Sequence, residues 1–209
     1  MHNKFIICGN RAHLRTDEEM LSINKSIADE AFKKQKALLG KYLESQGFLK
    51  YKTSAYVRKN AIDLLEYIDL QKEKYGSKTI TVNYSLMPLY VPHDYLIIGF
   101  GGRLGGLICG KDIWWDYATN SAAEVSFQNV SEAIKIFLLP WFEKYSDEDY
   151  VRKELLKDKK RSGRIGLGIP YKNEEWLNAI YGCANRKEII DGNIQRLKLP
   201  KTICRKKSY

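Results

Sequence analysis

The chain has 209 residues, of which 44% are hydrophobic and 12% aromatic. This composition predicts a folded globular protein and excludes a disordered or low-complexity one. The formal net charge of +10 lies entirely in the last quarter: residues 1–150 contain 19 Lys/Arg and 19 Asp/Glu, and residues 151–209 contain 16 Lys/Arg and 6 Asp/Glu. A neutral body with a basic end predicts that the basic end meets something acidic.

The first half of the chain predicts one long helix followed by an antiparallel sheet. An amphipathic pattern over residues 22–46 predicts a helix that ends at Gly47. Strand-forming segments follow at residues 53–58, 61–71, 78–86 and 95–100, and the glycine-rich segment 101–110 predicts one more strand with bends. Because short turns such as Lys59-Asn60 join these segments, the strands should pair antiparallel in a sheet of about five strands.

The second half predicts helices. Residues 130–145 place large apolar side chains on one helical face, and Pro140 should kink that helix. Further helices are predicted over residues 147–160, 173–184 and 186–197, followed by a short basic tail. We therefore expect one α+β domain over residues 1–150, in which an N-terminal helix and C-terminal helices pack on the sheet. Residues 151–209 should form a basic helical extension packed on the same domain.

The cysteines and histidines give no sign of a disulfide framework or a metal site. The four cysteines are widely spaced, which is typical of reduced thiols in a cytoplasmic protein: Cys8, Cys109, Cys183 and Cys204. No histidine has a helical i,i+4 partner of the kind that binds zinc. No apolar segment approaches the ~20 residues of a membrane span. We expect a cytoplasmic protein that needs no cofactor and does not enter a membrane.

One segment comes close to a nucleotide-binding motif. Residues 105–112 fit the pattern G-x-x-x-x-G-K of a phosphate-binding loop. That loop requires Ser or Thr after the lysine to hold Mg²⁺, and here Asp112 follows Lys111. The pattern therefore favours glycines that relieve crowding in a bent strand.

Trp114 and Trp115 form the first candidate binding surface. Adjacent residues in a strand point to opposite faces, so one ring should be buried and the other should lie at a surface or under another element. An exposed tryptophan beside Arg103 and Lys111 has the composition of an interface hot spot. The alternative is that the later helices cover both rings.

The second candidate surface is a basic cluster in the C-terminal extension: Lys157, Lys159, Lys160, Arg161 and Arg164. Three interpretations are open: a solvated basic face without a partner, a surface for an acidic protein, and contact with the phosphates of a nucleic acid. Aromatic residues that could stack on bases are few nearby, and no known nucleic-acid-binding motif is present. We therefore expect an acidic protein before a nucleic acid.

The order of several short motifs resembles a bacterial family of uncharacterised domains. The motifs are Leu43…Gly47-Phe48 after a helix, Tyr56…Arg58, Gln71-Lys72…Tyr75-Gly76, the strand at 79–83, Arg103 with Trp114-Trp115, and a helix containing 139–142. The likeness covers about residues 22–145. It implies an α+β domain with an antiparallel sheet, a bacterial source, and a setting in which small, rapidly varying domains act as immunity proteins against toxins. It carries over no catalytic residues.

The remaining charged motifs do not indicate catalysis. The acidic groups Asp147-Glu148-Asp149 and Glu174-Glu175 fit the charge preferred at helix N-termini. The sequence thus predicts a non-enzymatic binding protein, specifically an immunity protein that inhibits a bacterial toxin domain. The alternative is a nucleic-acid-binding accessory protein that uses the basic C-terminal region.

Overall fold

A computed structural model describes residues 17–96, 100–160 and 173–204. Its first element is helix α1 (Asp17–Ser45), which begins five residues before the predicted start. Phe32, Leu39 and Leu43 are buried on its inner side. Gly47 follows with a φ of 87°, and the N–H of Phe48 donates to the carbonyl of Leu43. This left-handed helix ending is the one that the sequence predicted.

Within the described ranges, six strands form one antiparallel sheet, which confirms the predicted α+β fold. The strand order is β1-β2-β3-β4-β5, and β6 pairs with β4 on the same edge as β5. The strands are β1 (Leu49–Lys50), β2 (Ala55–Lys59), β3 (Leu64–Lys72), β4 (Thr79–Pro88), β5 (Phe100–Arg103) and β6 (Trp115–Asp116). Strands β1 and β6 have two residues each, too few to leave an alternating pattern in the sequence.

The turn between β2 and β3 is longer than predicted. The side-chain oxygen of Asn60 accepts hydrogen bonds from the N–H groups of Ile62 and Leu64, at 3.1 and 2.9 Å. Asp63 has a φ of 64°, a conformation that Asp and Asn tolerate better than most residues. Strand β3 therefore begins at Leu64 instead of residue 61.

Two strand predictions after β4 need correction. No strand is present at Tyr95 or Leu96, and β5 begins only at Phe100; residues 97–99 lie outside the described ranges. The strand predicted over 101–110 is wrong beyond Arg103, because residues Leu104–Cys109 form the short helix α2. A Cβ on Gly105 would lie 2.3 Å from the carbonyl oxygen of Lys111. The glycine does relieve crowding, as predicted, but it does so where helix α2 packs against the segment 111–113 that follows it.

The helical layer on one face of the sheet is longer than predicted. Helix α3 (Asn120–Ala133) begins ten residues early, where the hydroxyl of Thr119 accepts a hydrogen bond from the N–H of Ala122. A π-helical turn (Ile134–Leu138) then leads into helix α4 (Leu139–Lys144), whose second residue is Pro140. The wider π turn leaves room for a proline ring that would clash with a carbonyl of a regular helix.

The side chains of β4 alternate between the two faces of the sheet. Tyr84 points to the helical layer, where its ring lies 4.8 Å from that of Trp141. Ile80, Val82 and Leu86 share this face by strand alternation and are fully buried. We call this the helix face of the sheet. Thr81, Asn83 and Ser85 point to the opposite face and are buried as well.

The C-terminal elements contact the rest of the chain. They are α5 (Glu148–Lys160), α6 (Asn173–Tyr181), α7 (Arg186–Arg196) and a 3₁₀ helix (Lys201–Cys204). The indole N–H of Trp176 in α6 donates to the hydroxyl of Tyr90 at 2.9 Å, and both side chains are fully buried. The hydroxyl of Tyr51 donates to the carbonyl of Leu197 at 2.8 Å. The described part of residues 151–209 therefore shares its core with the sheet.

Candidate functional site

The two adjacent tryptophans lie on opposite sides of the sheet. Trp115 pairs with Ile80 of β4 and is buried on the helix face, at 8% exposure. Trp114 is 36% exposed. The expectation that one ring is buried and the other lies at the surface is confirmed, because strand pairing of Trp115 forces its neighbour to the other side.

Arg103 connects β5 to the exposed tryptophan. It lies opposite Asn83 on the face away from the helical layer. Its guanidinium carbon is 5.3 Å from the centre of the Trp114 ring, within the range of a cation–π contact. One guanidinium nitrogen forms an ion pair with the carboxylate of Asp112. The arginine is therefore held between a charged partner and an aromatic surface, with its side chain 24% exposed.

Helix α2 determines the position of the residues that surround Arg103. After this helix the chain returns beside it, and the backbone of Gly105 lies close to the carbonyl of Lys111 and the N–H of Ile113. This return places Asp112 and Trp114 beside Arg103, and it leaves Lys111 exposed. Three of the four residues predicted in this region, Arg103, Lys111 and Trp114, are thus neighbours at the surface. Asp112, which anchors the arginine, was not predicted as a site residue, because a single aspartate after a lysine gives no signal of an ion pair.

A row of polar side chains crosses the sheet face that carries Arg103. Asp69 of β3 lies opposite Asn83 of β4, and Asn83 lies opposite Arg103. The hydroxyl of Ser54 donates to Asp69 at 2.8 Å, and the amide of Asn83 donates to Gln71 at 2.9 Å. These bonds satisfy part of the row and fix the side-chain geometry.

Three buried atoms on this face have no hydrogen-bond partner among the described residues: Thr81 Oγ1, Ser85 Oγ and Arg103 Nε. Thr81 and Ser85 are at most 1% exposed. A buried polar atom without a partner costs about 1–3 kcal/mol. The face beneath Arg103 is therefore stabilised less well than the helix face.

The basic cluster of the C-terminal extension is only partly described. Lys157 is exposed and forms an ion pair with Glu154 at 2.5 Å, which neutralises one of the five predicted charges. Lys159 and Lys160 belong to the last turn of α5, but their side chains lie outside the described set. Arg161 and Arg164 fall within residues 161–172, which are also outside it. Of the five predicted cluster residues, only Lys157 has a side chain within the described set.

A shallow cleft of about 520 Å³ lies between the segment 90–92 and helices α6 and α7. Its polar side chains include those of Glu175 and Asn178, and the rest of its lining is mainly apolar. The thiol of Cys183 donates to the carbonyl of Tyr90 at its edge, at 3.7 Å. The volume is within the range of small-molecule sites, but the polar groups at the wall are too few to define one ligand.

The described ranges contain neither a metal-binding cluster nor a helix that could cross a membrane. In residues 17–96, 100–160 and 173–204, no group of three or more His, Cys, Asp or Glu side chains has a geometry that could hold a metal ion. Among the helices of the same ranges, none has the length and apolar character needed to cross a bilayer.

Comparisons with known proteins give one match. No curated protein and no solved structure matches the chain. A family model matches residues 39–144, about half of the chain, from the last turns of α1 to the end of α4. This span contains all six strands and the Arg103–Trp114 pair, and it excludes the basic C-terminal elements. The chain therefore belongs to the family described as Domain of unknown function (DUF4304).

Proposed function

We propose that this chain is a non-enzymatic, cytoplasmic binding protein that holds an acidic protein, and that its role is to inhibit a bacterial toxin domain. The observation that carries the proposal is the exposed indole of Trp114 in cation–π contact with Arg103. Tryptophan and arginine dominate the binding energy of protein interfaces when they are central and well packed. Arg103 is already immobilised by Asp112, so little conformational entropy remains to be lost on binding.

The charge of the chain supports an acidic partner. A net charge of +10 attracts an acidic protein during diffusional encounter and raises the association rate. The aromatic anchor would act at the next stage, by slowing dissociation. In the proposed inhibitor, the overall positive charge raises the association rate and the Trp114 contact lowers the dissociation rate.

The ionisable groups with shifted pKa values support a non-catalytic role. Burial raises the pKa of Glu66, and Arg58 opposes that shift. The N–H groups of Tyr75 and Ser77 lower the pKa of Glu73 in a surface turn. Each shift has a structural explanation, and neither carboxylate lies beside Trp114. Free thiols at Cys109, Cys183 and Cys204 fit a reducing compartment such as the cytoplasm.

The test is an affinity capture with matched variants of the full chain. Wild type, Trp114→Ala, Trp114→Phe and Tyr75→Ala are immobilised and exposed to a nuclease-treated extract of the native host. Tyr75 is the control because it is a 93% exposed aromatic residue in another turn. We expect one protein to be retained by wild type and Tyr75→Ala, about tenfold less by Trp114→Ala, and an intermediate amount by Trp114→Phe.

The second stage asks whether the captured protein is a toxin. It is expressed in a bacterial host with wild type or Trp114→Ala, and growth is measured. Rescue by wild type and failure of Trp114→Ala would support inhibition. The capture is repeated with an extract that has not been treated with nuclease. If wild type then retains only nucleic acid, and no protein is lost on Trp114→Ala, the nucleic-acid-binding alternative replaces the proposal.

A further inference from the structure

Four lysines from three elements converge on one side of the described body. Lys33 and Lys36 lie on α1, Lys50 on β1 and Lys72 on β3. We call them the lysine cluster. Lys36 interacts electrostatically with the other three, and its ammonium group also donates to the carbonyl of Thr53 at 3.1 Å. The cluster is formed by tertiary structure, because the β2–β3 hairpin brings Lys72 back to the helix that carries Lys36.

Aromatic rings hold two of these ammonium groups in place. The Nζ atoms of Lys36 and Lys72 lie 5.4 and 4.1 Å from the centre of the Phe32 ring. Lys72 Nζ is also 5.1 Å from the centre of the Tyr117 ring. Cation–π contacts of this kind offset part of the repulsion between the two charges. They also position both lysines before any partner arrives, which reduces the entropy lost on binding.

The positive charge of the lysine cluster is only partly compensated. Lys72 pairs with Asp29 at 3.1 Å. Across the described residues, no carboxylate lies within ion-pair distance of Lys33, Lys36 or Lys50. Burial lowers the pKa of Lys36, and the charges of Lys50, Lys72 and Lys33 lower it further. A bound anion would relieve this repulsion.

We propose that the lysine cluster is a docking surface for a carboxylate-rich segment of a partner protein, an inference that rests on the function proposed above. All four cations are lysines, whose ammonium groups attract carboxylates and phosphates alike as point charges. The rings of Phe32 and Tyr117 are buried and already face ammonium groups, so they offer no surface on which a base could stack. The lack of an exposed ring at the lysine cluster favours carboxylates over nucleic acid.

Protection of the sheet edge explains only part of the cluster. Strand β1 is an edge strand, and an exposed lysine such as Lys50 discourages unwanted strand pairing. The lysines of α1 and Lys72 do not lie on that edge. The arrangement of Lys36 and Lys72 around Phe32 requires a different explanation, which an acidic partner supplies.

The experiment compares two triple variants of the full chain with equal net charge. The cluster variant is Lys36→Gln, Lys50→Gln and Lys72→Gln; the control is Lys135→Gln, Lys144→Gln and Lys187→Gln, three exposed lysines on other elements. A fluorescein-labelled oligoglutamate peptide and a short duplex DNA are the probes, and fluorescence anisotropy measures their binding. We expect the cluster variant to bind the peptide at least about tenfold more weakly than wild type, and the control variant to lose about twofold.

Three outcomes would overturn the proposal. Equal losses of peptide affinity in the two variants would mean that only total charge matters. A selective loss of DNA binding without a loss of peptide binding would identify a phosphate surface. The third outcome comes from a titration of wild type, which also serves if the cluster variant is unstable. Nuclear magnetic resonance follows the pKa of Lys36 with and without peptide. Added peptide should raise this pKa because a nearby carboxylate stabilises the ammonium form, and an unchanged pKa would contradict docking.

The peptide assay also separates this inference from the proposed function. The oligoglutamate peptide has no side chain that could pack against an indole, so Trp114→Ala should bind it as tightly as wild type. A failed capture with normal peptide binding would refute the inhibitor role and leave the lysine cluster as a docking surface for acidic segments. If the cluster variant captures the partner as well as wild type does, the inhibitor role is supported and the lysine cluster is not its docking surface.

Discussion

Arg58 and Glu66 form an ion pair across β2 and β3 on the helix face of the sheet, with 2.5 Å between Nε and Oε2. Glu66 is 1% exposed. Arg58 also donates to the carbonyl of Gln46 at 2.7 Å and stacks over Phe48 at 4.5 Å. The pair therefore connects the β2–β3 hairpin to the end of α1.

Removal of the arginine should be much more damaging than removal of both charges. Arg58→Ala leaves the Glu66 carboxylate buried without its cation, and we expect a loss of about 3–5 kcal/mol in the free energy of unfolding. The double variant Arg58→Met with Glu66→Leu replaces both ions by apolar groups and should recover most of that loss. Urea unfolding of the three proteins measures the difference. A double variant as unstable as Arg58→Ala would show that the cost lies in lost packing.

The same carboxylate should make stability depend on pH in a defined direction. Burial raises the pKa of Glu66 above its ordinary value of 4.5, and the charge of Arg58 offsets only part of the shift. The folded state therefore holds this proton at higher pH than the unfolded state. Its contribution to stability is fully present below the ordinary value and is lost as pH rises through the raised pKa. Glu66→Gln should lack this loss when urea midpoints are compared across that range.

Glu73 provides the control with the opposite sign. Hydrogen bonds from the backbone, first of all from Tyr75, lower its pKa, so its contribution is present above the ordinary value and is lost as pH falls. Glu73→Gln should therefore flatten the acidic side of the stability profile. If Glu66→Gln changed the profile in the same sense as Glu73→Gln, the assignment of the raised pKa to Glu66 would be wrong.

Two glycines should respond in opposite ways to an added methyl group. A Cβ on Gly101 would lie 2.0 Å from the carbonyl oxygen of Tyr84 and 2.6 Å from the Cα of Ser85. Both contacts are backbone atoms of the paired strand β4, so Gly101→Ala should cost about 3 kcal/mol or more. Gly106 in α2 meets no atom within 4 Å, and Gly106→Ala should stabilise by about 0.5–1 kcal/mol. Thermal unfolding of the two variants measures both effects. A Gly101→Ala protein as stable as wild type would contradict the close approach of β5 to β4.

Asn193 should be essential for holding α7 against the segment after β4. Its side-chain amide donates to the carbonyls of Leu89 and Val91, at 2.8 and 2.6 Å, and its oxygen accepts from the N–H of His93 at 3.0 Å. Asn193→Ala leaves these buried backbone groups without partners and should cost about 3 kcal/mol. Asn178→Ala, at an exposed position of α6, should change stability by less than about 0.5 kcal/mol. Urea unfolding followed with amide exchange at residues 89–93 measures both effects; unaltered protection in Asn193→Ala would mean that α7 is not part of this core.

The sequence predicted elements well where their periodicity was long and uniform. The alternation of branched and polar residues around Val82 predicted β4, and the apolar repeat ending at Gly47 predicted α1 and its terminus. It failed for residues 104–110, where strand and helix are equally compatible with small residues. Gly105 could bend a strand or let a helix pack against the chain that follows it. The outcome depends on its contact with the backbone of Lys111 and Ile113, which a local sequence pattern does not reveal.

The sequence by itself determined the α+β class, the antiparallel pairing, and the separation of Trp114 from Trp115, because helical period, strand period and turn length are local properties. Only the tertiary structure decided that Trp114 is the exposed ring, that Asp112 anchors Arg103, and that Lys36 and Lys72 meet at Phe32. Charge counts showed residues 1–150 as balanced. Electrostatic interaction depends on distance in space, so residues 1–150, whose charges balance in number, still concentrate positive charge where a helix and two strands meet.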